Sequence, residues 1–291
     1  MKNSYCRQLR NLFDQRNAFL LPGAANALAA RIIEDIGFKA AYVTGAGVTN
    51  TFLGMPDIGL ISLTELASHV SAMRDAVSLP LVVDADTGFG NPINVARTIK
   101  VLERAGANAI QLEDQNFPKR CGHFSGKTVI NRAEMVQKIR SAVDARVDPD
   151  LVIIARTDAI AANGFEDAIE RAHAYVEAGA DMMFIEAPRT QEQITAIPQR
   201  VPVPHLLNIV SGGLTPMMGI EDLEKAGYSV VLYANAALQA SISGMQNVLR
   251  YLNSKGSLEG AGNLLASFEE RQRIVMKPHF DALEKNYAQP G

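Results

Sequence analysis

The 291-residue sequence predicts an α/β fold, a (β/α)8 TIM-type barrel with additional C-terminal helices. Eight short apolar runs recur along the chain, and each is followed by a polar or glycine-containing segment and then a stretch with helical spacing. Such runs are typical of parallel strands that are buried on both faces. Eight β/α units over this length favour a closed barrel over an open sheet.

The apolar runs give the predicted strands and the stretches between them give the helices. Residues 165–178 have Ile169, Ala172 and Val176 at helical spacing, with Gly179 as the expected helix stop. A pattern of helix end, glycine stop and next strand occurs three times, in ERAGANAIQLED, VEAGADMMFIEA and LEKAGYSVVLYA. The eight predicted strands lie at 18–23, 40–45, 79–86, 109–114, 151–158, 182–187, 205–210 and 228–233.

The domain organisation follows from this count. Length alone would allow one or two domains, and we interpret residues 1–291 as a single barrel domain. Eight units need only one helix after the last strand, so residues 234–291 form a C-terminal helical extension that must pack elsewhere. We expect these additional helices to contact another subunit.

Composition and charge exclude several partner classes. The formal net charge is −3, and the 28 Lys and Arg residues are scattered among 31 Asp and Glu. That distribution argues against a nucleic-acid or anionic-membrane partner. The start of the chain lacks the apolar stretch of a signal peptide, and no segment reaches about 18 uninterrupted apolar residues, so we expect a cytoplasmic protein. With only Cys6 and Cys121, a disulfide framework is not expected.

Acidic residues end several of the predicted strands. In a (β/α)8 barrel the active site lies at the carboxyl ends of the strands. Asp84 and Asp86 end the third run and Glu113 ends the fourth, and the same rule makes Tyr42 and Arg156, near the ends of the second and fifth runs, candidates. Three carboxylates on neighbouring strand ends would repel one another, which predicts a bound hard cation with oxygen ligands, Mg²⁺ or, as an alternative, Mn²⁺. We expect at least one carboxylate to bind the ion directly while the others hold its waters.

A long polar segment, residues 115–130, separates the fourth and fifth predicted strands. Loops of this length inside a compact domain are often binding segments. Cys121 lies here beside Lys119, Arg120 and His123, and nearby positive charge favours the thiolate. A cysteine in this setting can exchange a proton with a substrate near neutral pH. No G-x-S-x-G motif, Walker A motif or dinucleotide fingerprint occurs.

Five motifs resemble the isocitrate lyase and phosphoenolpyruvate mutase superfamily. They are VVDADTGFG at 82–90, LEDQ at 112–115, KRCGH at 119–123, ARTDA at 155–159 and NIVSGGLTP at 208–216. The resemblance covers nearly the whole chain. The KRCGH motif looks like the lyase branch, which includes isocitrate, methylisocitrate and 2,3-dimethylmalate lyases and oxaloacetate-cleaving relatives. The phosphorus–carbon mutase branch generally lacks this cysteine motif.

The resemblance implies roles for individual residues and an assembly. Asp86 would be the nearest metal ligand, with Asp84 and Glu113 acting through waters, and Cys121 would protonate the carbanion left when the C2–C3 bond of a 2-hydroxy acid breaks. It also implies a homotetramer in which C-terminal helices are exchanged between neighbours. The further residues that it implies are Tyr42, Asp57 and Lys119 in the polar catalytic site, Thr44, Gly45 and Arg156 at the substrate carboxylate, and Gly122, His123, Glu186, Asn208, Ser211 and Gly212 around the departing acid.

Three departures from the superfamily pattern bear on the substrate. Gln111 stands where isocitrate and methylisocitrate lyases usually have histidine, and Gln239 stands where methylisocitrate lyases have arginine. Ser211 replaces the glutamate of the EGG segment in dimethylmalate and oxaloacetate relatives. A third substrate carboxylate would lack a cationic partner, at a cost on the order of several kcal/mol in a closed site. The sequence therefore favours a dicarboxylate such as a 2-alkylmalate over a tricarboxylate.

Other activities stay open at this point. Methylisocitrate lyase and oxaloacetate hydrolase are alternatives in the same branch, and a phosphonopyruvate mutase or hydrolase would use the same barrel and acids. A metabolite-binding barrel without catalysis is the non-enzymatic alternative, which the presence of the acids, Lys119 and Cys121 disfavours.

Overall fold

The computed structural model describes residues 4–119 and 126–288. It contains a closed barrel of eight parallel strands in sequential order, in which the first strand pairs with the last. The predicted fold class is confirmed. The strands are β1 (Phe19–Ala24), β2 (Ala41–Val43), β3 (Leu81–Asp84), β4 (Ala109–Glu113), β5 (Val152–Thr157), β6 (Met182–Ile185), β7 (His205–Asn208) and β8 (Val230–Tyr233).

Helices precede, connect and follow these strands. Helix α1 (Tyr5–Asp14) precedes the barrel. The connecting helices are α2 (Ala27–Ile36), α3 (Gly45–Leu53), α4 (Leu63–Ala76), α5 (Pro92–Ala105), α6 (Arg132–Ala145), α7 (Ala159–Ala162), α8 (Phe165–Glu177), α9 (Gln191–Arg200) and α10 (Ile220–Ala226). After β8 come α11 (Ala236–Lys255), a short 3₁₀ turn at Gly262–Leu264, α12 (Phe268–Ile274) and α13 (Lys277–Tyr287). Among the described residues, no helix combines the length and apolar character needed to cross a membrane.

The core has two main layers, because alternate side chains of each strand point in opposite directions. Residues such as Leu21, Val82 and Leu206 fill the barrel interior, where Leu9 and Phe13 of α1 join the same cluster. The opposite faces of the strands pack against the surrounding helices in a larger apolar layer. Such a filled interior leaves the strand ends as the place for a site.

Helix ends follow the local sequence signals. Ser62 and Glu65 form a reciprocal capping box at the start of α4. Helix α8 ends at Glu177, one residue before the predicted end, and Gly179 adopts a φ of 103° there. A left-handed backbone at that point suits glycine, which has no Cβ to clash.

The C-terminal helices leave much of their surface exposed. Helix α11 is 20 residues long and has no buried residue. Arg273 of α12 donates to both carboxylate oxygens of Asp35 on α2, at 2.6 and 2.7 Å, which holds α12 against the barrel. The structure thus contains the surplus of helix that the sequence predicts after the last strand.

Candidate active site

A polar cavity opens at the carboxyl ends of the strands, where the barrel rule places it. Nine of the predicted site residues line it: Tyr42, Thr44, Asp57, Asp84, Glu113, Lys119, Arg156, Glu186 and Asn208. They come from five strands, from segments that directly follow strands, and, for Asp57, from the loop between α3 and α4, so residues far apart in the sequence meet at one point. Asp86 lines an adjoining cavity, to which Lys119 also contributes.

The carboxylates of Asp84 and Asp86 converge on the start of α3. Strand β3 ends at Asp84, and Asp86 follows it with a positive φ of 49°. A Cβ atom placed on Gly45 would lie 3.2 Å from Asp84 Oδ2 and 3.2 Å from Asp86 Oδ1. Glycine at position 45 therefore lets the helix start approach both acids. Strand geometry ends at Asp84, so the direction of the Asp86 side chain is set by its own positive-φ backbone conformation and not by strand alternation.

Lys119 balances part of the acidic charge. Its ammonium group donates to Asp57 and lies 2.7 Å from Asp86 Oδ1. Burial raises the pKa of Asp86 to about 7, against the lowering effect of Lys119. Burial lowers the pKa of Lys119, but the surrounding carboxylates, led by Asp86 and Glu113, raise it well above its usual value. The acids of the site thus hold Lys119 in its charged form.

Arg156 is held among three acids at the end of β5. Its Nε and Nη2 donate to the two oxygens of Asp158 at 2.9 and 3.1 Å. Nε also lies 3.4 Å from Glu113 Oε2, and Nη2 lies 3.7 Å from Glu186 Oε2. The guanidinium lies 4.9 Å from the centre of the Phe184 ring. This fixed and buried cation faces the cavity, as recognition of a carboxylate requires.

A hydrogen-bonded chain connects β2, β3 and β4. The Tyr42 hydroxyl donates to Gln111 Oε1 at 2.5 Å, and Gln111 Nε2 donates to Asp84 Oδ1 at 2.9 Å. Burial, reinforced by Asp84, raises the pKa of Tyr42 well above its usual value. Tyr42 is therefore a neutral phenol, and Gln111 fixes the direction of both its hydroxyl and the Asp84 carboxylate.

The chemistry of the cavity fits a hard cation. Glu113 Oε1, Asn208 Oδ1 and Asn235 Oδ1 are buried oxygens without a hydrogen-bond partner within the described ranges. Burial raises the pKa of Glu113 well above its usual value despite nearby Arg156, so its ionised form requires more positive charge than these residues supply. Across residues 4–119 and 126–288, no three His, Cys, Asp or Glu side chains form a direct metal-ligand group. A cation held by one carboxylate, with waters bridging to the others, fits this arrangement.

Other predicted residues lie apart from the central cavity. Ser211 lines a neighbouring cavity of about 60 Å³ together with Gln239. Gly212, with a φ of 76°, is exposed and lines neither of these two cavities. Cys121, Gly122 and His123 lie outside the described residues.

The structure also reveals partners that the site prediction omitted. Gln111, Phe184 and Asp158 each contact a predicted site residue. Lys127 contacts Asp158 from the segment between β4 and β5. The two-residue spacing of Arg156 and Asp158 was a usable signal, since strand alternation turns both side chains to one side. Neither Phe184 nor Lys127 had a comparable signal.

Comparisons with known proteins find relatives that match nearly the whole chain. Residues 9–253 match the family model described as phosphoenolpyruvate phosphomutase. The chain is 40% identical to 2,3-dimethylmalate lyase of Eubacterium barkeri over 97% of each chain. It is 46% identical to 2-methylisocitrate lyase of Aeropyrum pernix, over 86% of this chain and 80% of that protein.

Solved structures of two hydrolases are also similar to this chain in both fold and sequence. The structure of oxaloacetate acetylhydrolase with the inhibitor 3,3-difluorooxalacetate has a TM-score of 0.92 and 33% identity, covering 99% of both chains. Phosphonopyruvate hydrolase in complex with oxalate and Mg²⁺ has a TM-score of 0.89 and 30% identity, covering 98% of this chain and 100% of that chain.

Proposed function

Because the chain belongs to the phosphoenolpyruvate phosphomutase family, and is a carbon–carbon lyase by its similarity to curated lyases, we propose that it is a magnesium-dependent lyase of a 2-hydroxy dicarboxylate. The proposed substrate is of the 2-alkylmalate type, such as 2,3-dimethylmalate, and the products are a 2-oxo acid and a carboxylic acid. The observation that carries this proposal is the single cavity that joins Arg156, Lys119 and Tyr42 with the acids of β3 and β4.

The chain's own residues would bind and orient the substrate. Arg156 offers a fixed guanidinium to the carboxylate next to the hydroxyl-bearing carbon, and Thr44 and Gly45 present the start of α3 to the same end. Asp86 would hold Mg²⁺, or Mn²⁺ in its place, directly, with Asp84 and Glu113 acting through waters. When bound, the cation supplies positive charge that stabilises the substrate oxygens as they become negative.

Bond cleavage would move one proton off the substrate and another onto the product. When the 2-hydroxyl loses its proton, its electrons form the carbonyl of the 2-oxo acid, and the C2–C3 electron pair stays on C3. Lys119 and Tyr42 are protonated in this site, so the 2-hydroxyl proton would pass to the carboxylate of Asp57, which lines the same cavity and accepts a hydrogen bond from Lys119. Cys121 would then donate its thiol proton to C3, with Gly122, His123, Glu186, Asn208, Ser211 and Gly212 around the departing acid.

The choice of a dicarboxylate is supported by the cavity beside Asn208. Ser211 and Gln239 line it with the apolar side chains of Ile209 and Met217, and Val210 and Asn235 are common to it and the central cavity. Within residues 4–119 and 126–288, no cationic side chain lines this cavity, so a third carboxylate would be left without a charge partner from this part of the chain. A small alkyl group fits such a lining better.

A substrate panel tests the proposal. The chain would be assayed with Mg²⁺ against 2,3-dimethylmalate, methylisocitrate, isocitrate, oxaloacetate and phosphonopyruvate, with products identified by mass spectrometry. We expect the highest kcat/KM with the 2-alkylmalate. A preference for a tricarboxylate would make the chain a methylisocitrate-type lyase, and oxalate as the main product would make it an oxaloacetate hydrolase. Efficient phosphate release from phosphonopyruvate would contradict the lyase assignment.

Oxalate provides a test of the site that needs no turnover. It is the ligand, with Mg²⁺, in the phosphonopyruvate hydrolase structure. We expect it to bind this chain in a Mg²⁺-dependent manner, because its two carboxylates resemble the carboxylate and adjacent oxygen of the proposed substrate. Oxalate binding without turnover of any compound in the panel would favour a metabolite-binding protein over an enzyme.

A further inference from the structure

We propose that Lys127 is a positioning residue for Arg156 and acts through Asp158. The inference rests on the proposed function to the extent that Arg156 binds the substrate carboxylate. Lys127 lies in the segment between β4 and β5, and its ammonium Nζ is 2.5 Å from Asp158 Oδ1. Its side chain is 1% exposed and that of Asp158 is fully buried, so the ion pair is shielded from solvent.

The backbone on either side of this segment is held in a defined place. Gln115 and Val129 form an antiparallel bridge, and Asn116 N donates to Thr128 O at 2.9 Å. Ile130 N donates to Asp114 O at 2.8 Å. These bonds fix the backbone next to Lys127, so its side chain reaches Asp158 from a constrained position.

Asp158 is shared between the two cations. Lys127 Nζ and Arg156 Nη2 both contact its Oδ1, while Arg156 Nε donates to its Oδ2. Arg156 therefore binds Asp158 with Nε and one terminal nitrogen, and its other terminal nitrogen is the natural donor to a substrate carboxylate. The bidentate contact sets the plane in which that nitrogen lies.

The charges of these three residues explain why Lys127 matters for an anionic ligand. Lys127, Arg156 and Asp158 together carry one net positive charge. Without the lysine, Asp158 and Arg156 would together carry none, while Glu113 and Glu186 would still lie 3.4 and 3.7 Å from the guanidinium. In a buried setting such a carboxylate would hold the guanidinium more strongly and repel an incoming carboxylate. Lys127 thus keeps Arg156 available to the substrate although it need not touch the substrate itself.

The test compares oxalate binding, by calorimetry with saturating Mg²⁺, across a set of variants of the full chain. Lys127→Met is expected to raise the Kd for oxalate by about tenfold or more, and Lys127→Arg, which keeps the charge, to stay within about threefold of the original. Thr128→Val is the matched control. It removes the 2.9 Å hydrogen bond that Asn116 Nδ2 donates to Thr128 Oγ1, next to Lys127, without changing a contact of Asp158. It should leave the Kd unchanged. Substrate KM should rise with the oxalate Kd in Lys127→Met, with a smaller change in kcat.

A double-mutant cycle with Asp158→Asn separates positioning from a structural role. Once the Asp158 charge is gone, Lys127→Met should change the oxalate Kd by less than about threefold, and the double variant should bind oxalate more tightly than Lys127→Met alone. If Lys127→Met does not fold, the comparison within the Asp158→Asn background still decides, and a tenfold loss there overturns the inference. Equal binding by the original chain and Lys127→Met also overturns it. A failure of the original chain to bind oxalate with Mg²⁺ would instead count against the proposed function.

Discussion

At the scale of single residues, the proton delivered to the departing acid is assigned to Cys121. We predict that Cys121→Ser keeps the fold and Mg²⁺ binding but loses most of its turnover. A cysteine thiol has an unperturbed pKa of about 8.5, whereas a serine hydroxyl is a far weaker acid. Steady-state kinetics would measure the loss, and near-original turnover would refute the acid assignment.

Cys6 offers a matched control for that experiment. It is buried in α1, where Asn108 Nδ2 donates to its Sγ, and burial raises its pKa to about 11. Cys6→Ala should therefore retain activity, and a thiol reagent at neutral pH should inactivate the chain with Cys6 replaced as readily as the original.

Asp86 is expected to be the direct ligand of the cation. We predict that Asp86→Ala lowers kcat by about a thousandfold or more, because stabilisation of charge on the substrate oxygens depends on the bound ion. Activity would be measured across a Mg²⁺ titration, with Asp75→Ala, an exposed acid of α4, as the control. Full activity of the original chain after chelator treatment would contradict the metal requirement.

His205 should make stability depend on pH. Burial lowers its pKa from 6.5 to about 4, and its Nε2 lies 2.7 Å from Val201 O. Above pH 6.5 the imidazole is neutral in both the folded and unfolded chains. As the pH falls from 6.5 towards 4, only the unfolded chain gains a proton, so the free energy of unfolding falls, by about 3 kcal/mol over the window.

Urea unfolding between pH 8 and pH 4.5 would measure this effect. The variant His205→Gln cannot gain that proton, so its free energy of unfolding should depend less steeply on pH below 6.5. Identical pH dependence in both chains would show that other groups control acid stability.

Strand-end position was the signal that located most of the candidate site. A barrel brings the carboxyl ends of all its strands to one end of the fold. Position in the sequence therefore predicts Tyr42, Asp84, Glu113 and Arg156 as site residues. Lys127 could not be predicted in this way. It lies in an irregular segment, and only the folded backbone shows that its side chain reaches Asp158.

At the scale of elements, the predicted strands are in the right order but often too long. The run 40–45 contains a strand only at Ala41–Val43, because the Thr44 side chain caps α3 by accepting from Gly47 N. The run 79–86 likewise ends at Asp84, before the positive φ of Asp86. Hydrophobicity marks burial, and burial continues past the point where strand geometry stops.

The capping box of α4 leads to a prediction about stability. Ser62 Oγ accepts from Glu65 N, while Glu65 Oε2 accepts from Ser62 N at 2.8 Å. We predict that Ser62→Ala lowers the free energy of unfolding by about 1 kcal/mol, because the helix start loses a side-chain acceptor. Urea denaturation would measure it.

Ser68 of the same helix is the control. It is exposed and its hydroxyl donates to Thr64 O within the helix at 3.0 Å. Because alanine has the higher helix propensity, Ser68→Ala should be neutral or slightly stabilising. Equal losses in both variants would mean that the capping box adds nothing specific.

At the scale of the whole molecule, the C-terminal helices have more apolar surface than the barrel covers. Met245 and Leu249 on α11 are 54% and 59% exposed. Phe268 on α12 is 66% exposed, and Phe280 on α13 is 55% exposed. A soluble helix normally turns such residues towards a core, and groups of exposed apolar side chains mark interaction surfaces. This exposure supports the sequence-based expectation that these helices pack against other copies of the chain.

We therefore predict that the chain is a homotetramer and that its C-terminal helices hold the assembly together. Light scattering after size-exclusion chromatography should give four times the mass of one chain. The double variant Met245→Lys/Leu249→Lys should shift the population to smaller species, because burying two ammonium groups in an apolar contact is costly. Val147→Lys is the control, since Val147 is 79% exposed but lies before β5, apart from the C-terminal helices. A monomeric original chain would contradict the prediction, and an unchanged tetramer in the double variant would place its interface elsewhere.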